Sequence, residues 1–185
     1  MEFLPQEIDE FITRFSDKEP ELLAQLNHET WEKVLIPRML SGHFQGRVIS
    51  MLSHMINPKR ILEIGTYTGY SAICFAEGLQ DNGIIHTIDI NEELESMVNK
   101  YIEKSNLKET IINHIGNALD IIPTLKEEFD IVFIDADKSN YSKYYDLVFD
   151  KVKKGGYIIA DNVLWSGKVV ENRKDLDQDT HALID

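Results

Sequence analysis

Two short polar runs follow directly on apolar ones in this chain: Asp135-Ala136-Asp137-Lys138 and Asp161-Asn162. Asp135, Asp161 and Asn162 are hard oxygen donors with no His or Cys beside them. Three such oxygens suit Mg²⁺ or another divalent cation, which takes octahedral oxygen coordination and keeps positions for water or two vicinal hydroxyls. Lys138 stands three residues past Asp135. Beside a cation and partly desolvated, an amine there loses basicity and can take a proton from a hydroxyl. Each residue also has a plainer reading: Asp and Asn cap turns after strands, and lysine is usually a solvated charge.

A second constellation lies upstream. Ile61-Leu62-Glu63-Ile64-Gly65-Thr66-Tyr67-Thr68-Gly69-Tyr70-Ser71 runs from an apolar strand through a glycine turn into a helix start. The next apolar run ends at Asp89, an acid placed to accept hydrogen bonds from ribose hydroxyls. The turn reads G-x-x-x-G, with bulky Tyr67 where a pyrophosphate would need a second glycine. A cofactor with adenosine and no pyrophosphate fits better than a dinucleotide, and S-adenosylmethionine (SAM) is the common one. A sulfonium methyl held in line with a deprotonated oxygen needs little beyond positioning. The two constellations together describe methyl transfer to oxygen.

These residues need a scaffold that brings strand ends together. From about residue 59 the chain alternates strand and helix patterns. Arg60–Ile64, Ile84–Ile88, Thr110–His114, Ile131–Ile134 and Tyr157–Ala160 are short, β-branched and unalternating, as in strands buried on both faces. Leu94, Met97, Val98, Tyr101 and Ile102 mark one helix face, with Asn91 as its N-cap and Glu92 and Glu93 in the first turn. Tyr141, Tyr145, Val148 and Val152 mark another, stopped by Lys151, Lys153, Lys154 and then Gly155-Gly156. Before residue 59 the chain reads as helices only, near Gln6–Phe15, Glu19–His28 and Phe44–Met55. The expectation is an α/β fold, a doubly wound parallel sheet with an N-terminal helical cap. All strand ends then share one rim, where Asp135, Asp161 and Asn162 converge and Gly116-Asn117-Ala118 faces an adenine edge.

Composition narrows the class. At 185 residues and 43% hydrophobic content the chain is expected to form one domain, residues 1–57 as cap and 58–170 as cofactor and metal core. A net charge of −13 weighs against a large phosphate-binding surface. Cys74 is the only cysteine, which excludes an internal disulfide or a CxxC metal site. With no signal-peptide pattern and no apolar run of membrane-spanning length, a cytoplasmic protein without membrane contact is expected. Phe3, Leu4, Ile8, Phe11, Ile12 and Phe15 form an apolar helix face that either packs on the domain itself or makes a dimer.

Glu63–Ser71, Asp135–Tyr141 and Gly155–Gly167 together resemble the class I, cation-dependent O-methyltransferases of the caffeoyl-CoA and catechol type, especially small bacterial members. The resemblance spans about Met39 to Val169. It implies a Rossmann-like methyltransferase fold, SAM and Mg²⁺ as cofactors, a catechol-like phenolic substrate and a homodimer. It implies Asp135, Asp161 and Asn162 as metal ligands and Lys138 as catalytic base. Glu63, Gly65, Thr66 and Ser71 would hold the methionine end of SAM, Asp89 the ribose, Ala118 the adenine, with Asp135 and Asp137 bordering the cofactor. Met39 and Ser41 would close over SAM and substrate, and Trp165 and Ser166 would line the substrate. Two departures stand out. Ser166 replaces the asparagine that plant caffeoyl-CoA enzymes carry, so their substrate does not carry over. The chain stops at Asp185, so the family's C-terminal antiparallel hairpin is expected to be absent, leaving the last parallel strand with an open edge. Two other readings stay open: methylation of a modified uridine hydroxyl in tRNA, which the acidic charge disfavours, and a nucleotide-binding oxidoreductase or inactive SAM-binding protein.

Overall fold

The computed structural model describes residues 5–184; Phe3 and Leu4 lie outside them. Three helices come first: α1 (Gln6–Phe15), α2 (Glu21–Lys33) and α3 (Gly42–Ile56). Strands and helices then alternate as β1 (Arg60–Ile64), α4 (Tyr70–Ala76), β2 (Ile84–Asp89), α5 (Glu95–Lys104), β3 (Ile111–Ile115), α6 (Ala118–Ile121), β4 (Phe129–Ile134), α7 (Tyr141–Phe149) and β5 (Val152–Ala160), before α8 (Gln178–Ile184).

The five strands form one sheet in the order β3-β2-β1-β4-β5, and all pairs are parallel. The order reverses between β1 and β4, which opens a crevice beyond their carboxyl ends. Alternate strand residues serve two apolar layers. Ile61, Ile85, Ile131 and Phe133 pack with α2, α4 and α5 residues such as Leu23, Phe75 and Val98. Leu62, Ile64, Ile88, Val132 and Ile134 pack with α6 and α7 through Ala118, Tyr141 and Val148. Burial on both faces explains why the strands read as continuous apolar runs.

Register makes the site. Ile64 pairs with Ile134, and Ile134 with Ala160. Each strand then delivers its next residue to the rim through one further ladder bond: Gly65 N to Ile88 O at 2.9 Å, Asp135 N to Ile64 O at 2.8 Å, Asp161 N to Ile134 O at 2.9 Å. Neighbouring strands lie about 4.8 Å apart, so Asp135 and Asp161 leave adjacent strands side by side.

Several expectations are corrected. The helix after Lys138 ends at Phe149, and Lys153, Lys154, Gly155 and Gly156 lie inside β5. The pairing steps from Phe129–Val152 to Ile131–Tyr157, so these residues form a bulge. Gly155 adopts φ +87° there, and a β-carbon on Gly156 would meet Asp130 O at 2.9 Å. The glycines thus serve strand geometry and do not stop the helix. On α7 the buried tyrosines are Tyr141 and Tyr144, whereas Tyr145 is exposed. Helix α2 runs on to Lys33, where Glu29 pairs with Lys33 at 2.8 Å and also binds Lys100 (2.5 Å) and the Tyr101 hydroxyl (2.7 Å) on α5. On α1, Ile8, Phe11 and Phe15 stay largely exposed. Asn91 does cap its turn, accepting from Glu93 N at 3.0 Å. Among the described residues no helix is long and apolar enough to cross a membrane.

Candidate active site

The glycine turn leaves β1 at the crevice. A β-carbon on Gly65 would lie 1.9 Å from Asp135 O, and the residue's φ of +106° also demands glycine. Tyr67, at φ +49°, donates its backbone N–H to Asp89 Oδ2 at 2.7 Å, and Asn91 N donates to Asp89 Oδ1 at 2.9 Å. Two backbone donors therefore fix the Asp89 carboxylate at the mouth of the turn. The Tyr67 hydroxyl donates to Ile36 O at 2.9 Å and ties the turn to the segment before α3.

Glu63 is wholly buried beneath the turn. The Thr87 hydroxyl donates to its Oε2 at 2.5 Å, and Thr66 Oγ1 lies 2.6 Å from Thr87 Oγ1. Glu63 Oε1 is buried without a hydrogen-bond partner. Burial raises the Glu63 pKa to about 7, against the opposing pull of the Ser71 and Thr87 hydroxyls. A buried acceptor left unmatched is costly, so this oxygen suits an incoming cationic or N–H group. An ammonium at the methionine end of SAM has that chemistry.

At the other side of the crevice stand the two aspartates. Lys138 Nζ is 3.4 Å from Asp135 Oδ1 and donates to the Asp161 carbonyl at 3.3 Å and to the Tyr141 hydroxyl. Its amine also sits 4.2 Å from the Tyr141 ring centre and 5.6 Å from that of Trp165. The lysine is buried, and that burial holds its pKa below the ordinary lysine value. Burial and the nearby Asp161 charge push Asp135 upward. Asn162, at φ +58°, brings its amide to 3.4 Å from Asp135 Oδ1, so one rotation of that amide turns its oxygen to the same point. Among the described residues no three His, Cys, Asp or Glu side chains gather as a metal cluster. The set here is two carboxylates and an amide, whose chemistry fits a hard divalent cation.

Asp135, Asp161, Asn162, Lys138 and Trp165 are thus brought together, and Glu63, Gly65, Thr66, Ser71 and Asp89 form the neighbouring half. Asn117 accepts from Leu119 N at 3.0 Å and caps α6, so its side chain is committed to the helix, with buried Ala118 as the first residue. Asp137 accepts from the Tyr144 hydroxyl and Asn140 Nδ2, each at 2.5 Å, and anchors the start of α7. Met39 is exposed on a 3₁₀ turn (Pro37–Met39), Ser41 is half-buried just before α3, and Ser166 is exposed at φ +56°. Sequence reading missed two participants. Gln45 on α3 donates to Asp161 Oδ2 at 2.5 Å. Tyr141 reads as core, and it is buried, yet its hydroxyl lies 3.1 Å from the carbonyls of both Ile134 and Asp161.

A parallel sheet with a glycine turn after β1, an acid ending β2 and a polar rim at β4 and β5 defines a Rossmann-like fold for a nucleoside cofactor. The chain belongs to the O-methyltransferase family, whose profile matches residues 13–185. It is 38% identical over 159 residues to caffeoyl-CoA O-methyltransferase 5 of Nicotiana tabacum, covering 83% of this chain and 66% of that protein. It thus spans just under two thirds of the length of such curated relatives. Among solved structures it resembles the O-methyltransferase TomG from Streptomyces achromogenes, determined in complex with SAM, at 28% identity and TM-score 0.88 over 96% of this chain and 80% of that one. It also resembles an O-methyltransferase from Bacillus cereus in complex with SAH, at 28% identity and TM-score 0.89 over 96% and 81%.

Proposed function

We propose that the protein transfers the methyl group of SAM to a hydroxyl of a small catechol-like phenol, with a divalent cation such as Mg²⁺ at the rim. The observation that carries this reading is the meeting of Lys138 with Asp135, Asp161 and Asn162 beside the glycine turn. Glu63 Oε1 receives the ammonium of SAM, and Asp89, held by two backbone donors, receives the ribose hydroxyls. Asp135, Asp161 and Asn162 would hold the cation, which would supply Lewis acidity that lowers the pKa of a nearby hydroxyl. Lys138 Nζ accepts the hydroxyl proton, helped by the burial that weakens its hold on its own proton. The freed oxygen forms a bond to the methyl carbon as the carbon–sulfur bond breaks, and the thioether leaves neutral. The Trp165 ring beside Lys138 walls the acceptor. A homodimer through the exposed Ile8, Phe11 and Phe15 of α1 belongs to the same reading, and a monomer mass by light scattering at tens of micromolar would reject that part.

Labelled SAM with Mg²⁺, offered in parallel to a panel of catechols and to bulk tRNA, tests the proposal. Label is expected in a catechol. Label in tRNA alone would move the acceptor to a nucleoside hydroxyl, and none in either would refute the transfer reading.

A further inference from the structure

The carboxylate of Asp161 takes its donors from two distant parts of the chain. Asn162 N, the next residue, donates to Oδ1 at 2.7 Å. Gln45 Nε2, from the first turn of α3, donates to Oδ2 at 2.5 Å. Gln45 is no free surface amide, because its neighbour Gly46 fixes the helix against α4. A β-carbon on Gly46 would lie 2.6 Å from Tyr70 Cε1 and 2.9 Å from Cys74 Sγ, so α3 and α4 are in close contact there. Helix α4 itself starts directly after the glycine turn. The Gln45 donor is thereby held by the same elements that shape the cofactor turn. Lys138, in contrast, binds the Asp161 carbonyl and leaves that carboxylate to the other two donors.

We infer that Gln45 is a positioning residue: it orients the Asp161 carboxylate for cation binding and so makes cation affinity depend on the cap helix being seated. The inference rests on the cation site proposed above. Donors that orient a ligating carboxylate from behind typically change metal affinity by about 10–100-fold when removed. Seating and affinity are then linked in both directions, so a bound cation also steadies the start of α3.

Calorimetric titration of Mn²⁺ into the purified protein tests this with Gln45→Met, which keeps length and helix propensity but cannot donate, and with Gln45→Ala as a second variant. Both should bind Mn²⁺ about 10–100-fold more weakly than the parent. Their SAM affinity, measured without cation, should stay within about twofold of parental, as a positioning role requires. Amide exchange at residues 42–46 should slow on Mn²⁺ addition in the parent and not in the variants. Parental Mn²⁺ affinity in both variants would overturn the inference, and so would an equal loss of SAM affinity, which would mean a general loosening of the cap. A parent protein that takes up no Mn²⁺ would instead fail the cation reading itself, with this inference falling beside it.

Discussion

The carbonyl oxygen of Asp135 occupies the place a β-carbon on Gly65 would need, 1.9 Å from its ideal position. The cofactor turn and the first carboxylate of the rim are therefore packed backbone against backbone, with no side chain between them. In the methyl-transfer reading proposed above, this contact would help set the spacing between donor and acceptor, on which displacement rates depend.

Gly65→Ala should accordingly damage both halves of the site. The strained φ alone costs about 1–3 kcal/mol, and the clash adds to it. For a chain of this size each kcal/mol lowers Tm by about 2–4 °C. Calorimetry should show that fall together with loss of SAM binding. Parental Tm and SAM affinity would mean the contact is slack.

Glu63 makes a pH-dependent prediction. Its folded pKa, about 7, lies above the ordinary glutamate value of 4.5. The sign follows: its contribution to the ligand-free fold is full below 4.5 and is lost as pH rises through 7. An ammonium beside Oε1 favours the ionised carboxylate, so SAM should bind more tightly as pH rises from about 5 to 7 and should expel a proton as it binds. Titrations in buffers of different ionisation enthalpy measure that proton. Glu63→Gln should flatten the pH dependence. A flat parental profile would place the SAM ammonium elsewhere.

Lys138→Ala should slow the chemical step by about 10²–10⁴-fold with little change in SAM binding. Lys138→Arg should not rescue it, because a guanidinium does not give up its proton. Single-turnover rates separate the step from binding. Near-parental turnover in Lys138→Ala would make the lysine a bystander that only neutralises Asp135.

Much of this site was legible because parallel strands in register deliver their next residues to one rim. Asp135 and Asp161 each follow an apolar run, so their meeting required only that both runs be strands of one sheet. Glu63, Gly65 and Asp89 were legible for the same reason. Gln45 was not: its partner lies 116 residues away, and a glutamine on a helix's first turn carries no signal of what it faces. Tyr141 was half legible, since helical spacing marks burial but says nothing of the hydroxyl that braces Lys138. The bulge at Gly155-Gly156 was misread because lysines followed by glycines end many helices. Here a ladder fixed by Asp130, which accepts from Lys153 Nζ at 2.9 Å, draws the segment into the sheet.

In the proposed mechanism, methyl transfer would depend on a cation held by Asp135, Asp161 and Asn162. Initial rates with labelled SAM and a responsive catechol, measured first in excess chelator and then with Mg²⁺ restored, test it most directly. Turnover should vanish with chelator and return with Mg²⁺ in the parent, and stay absent under both conditions in Asp161→Ala. Full parental activity in excess chelator would falsify the cation-dependent mechanism.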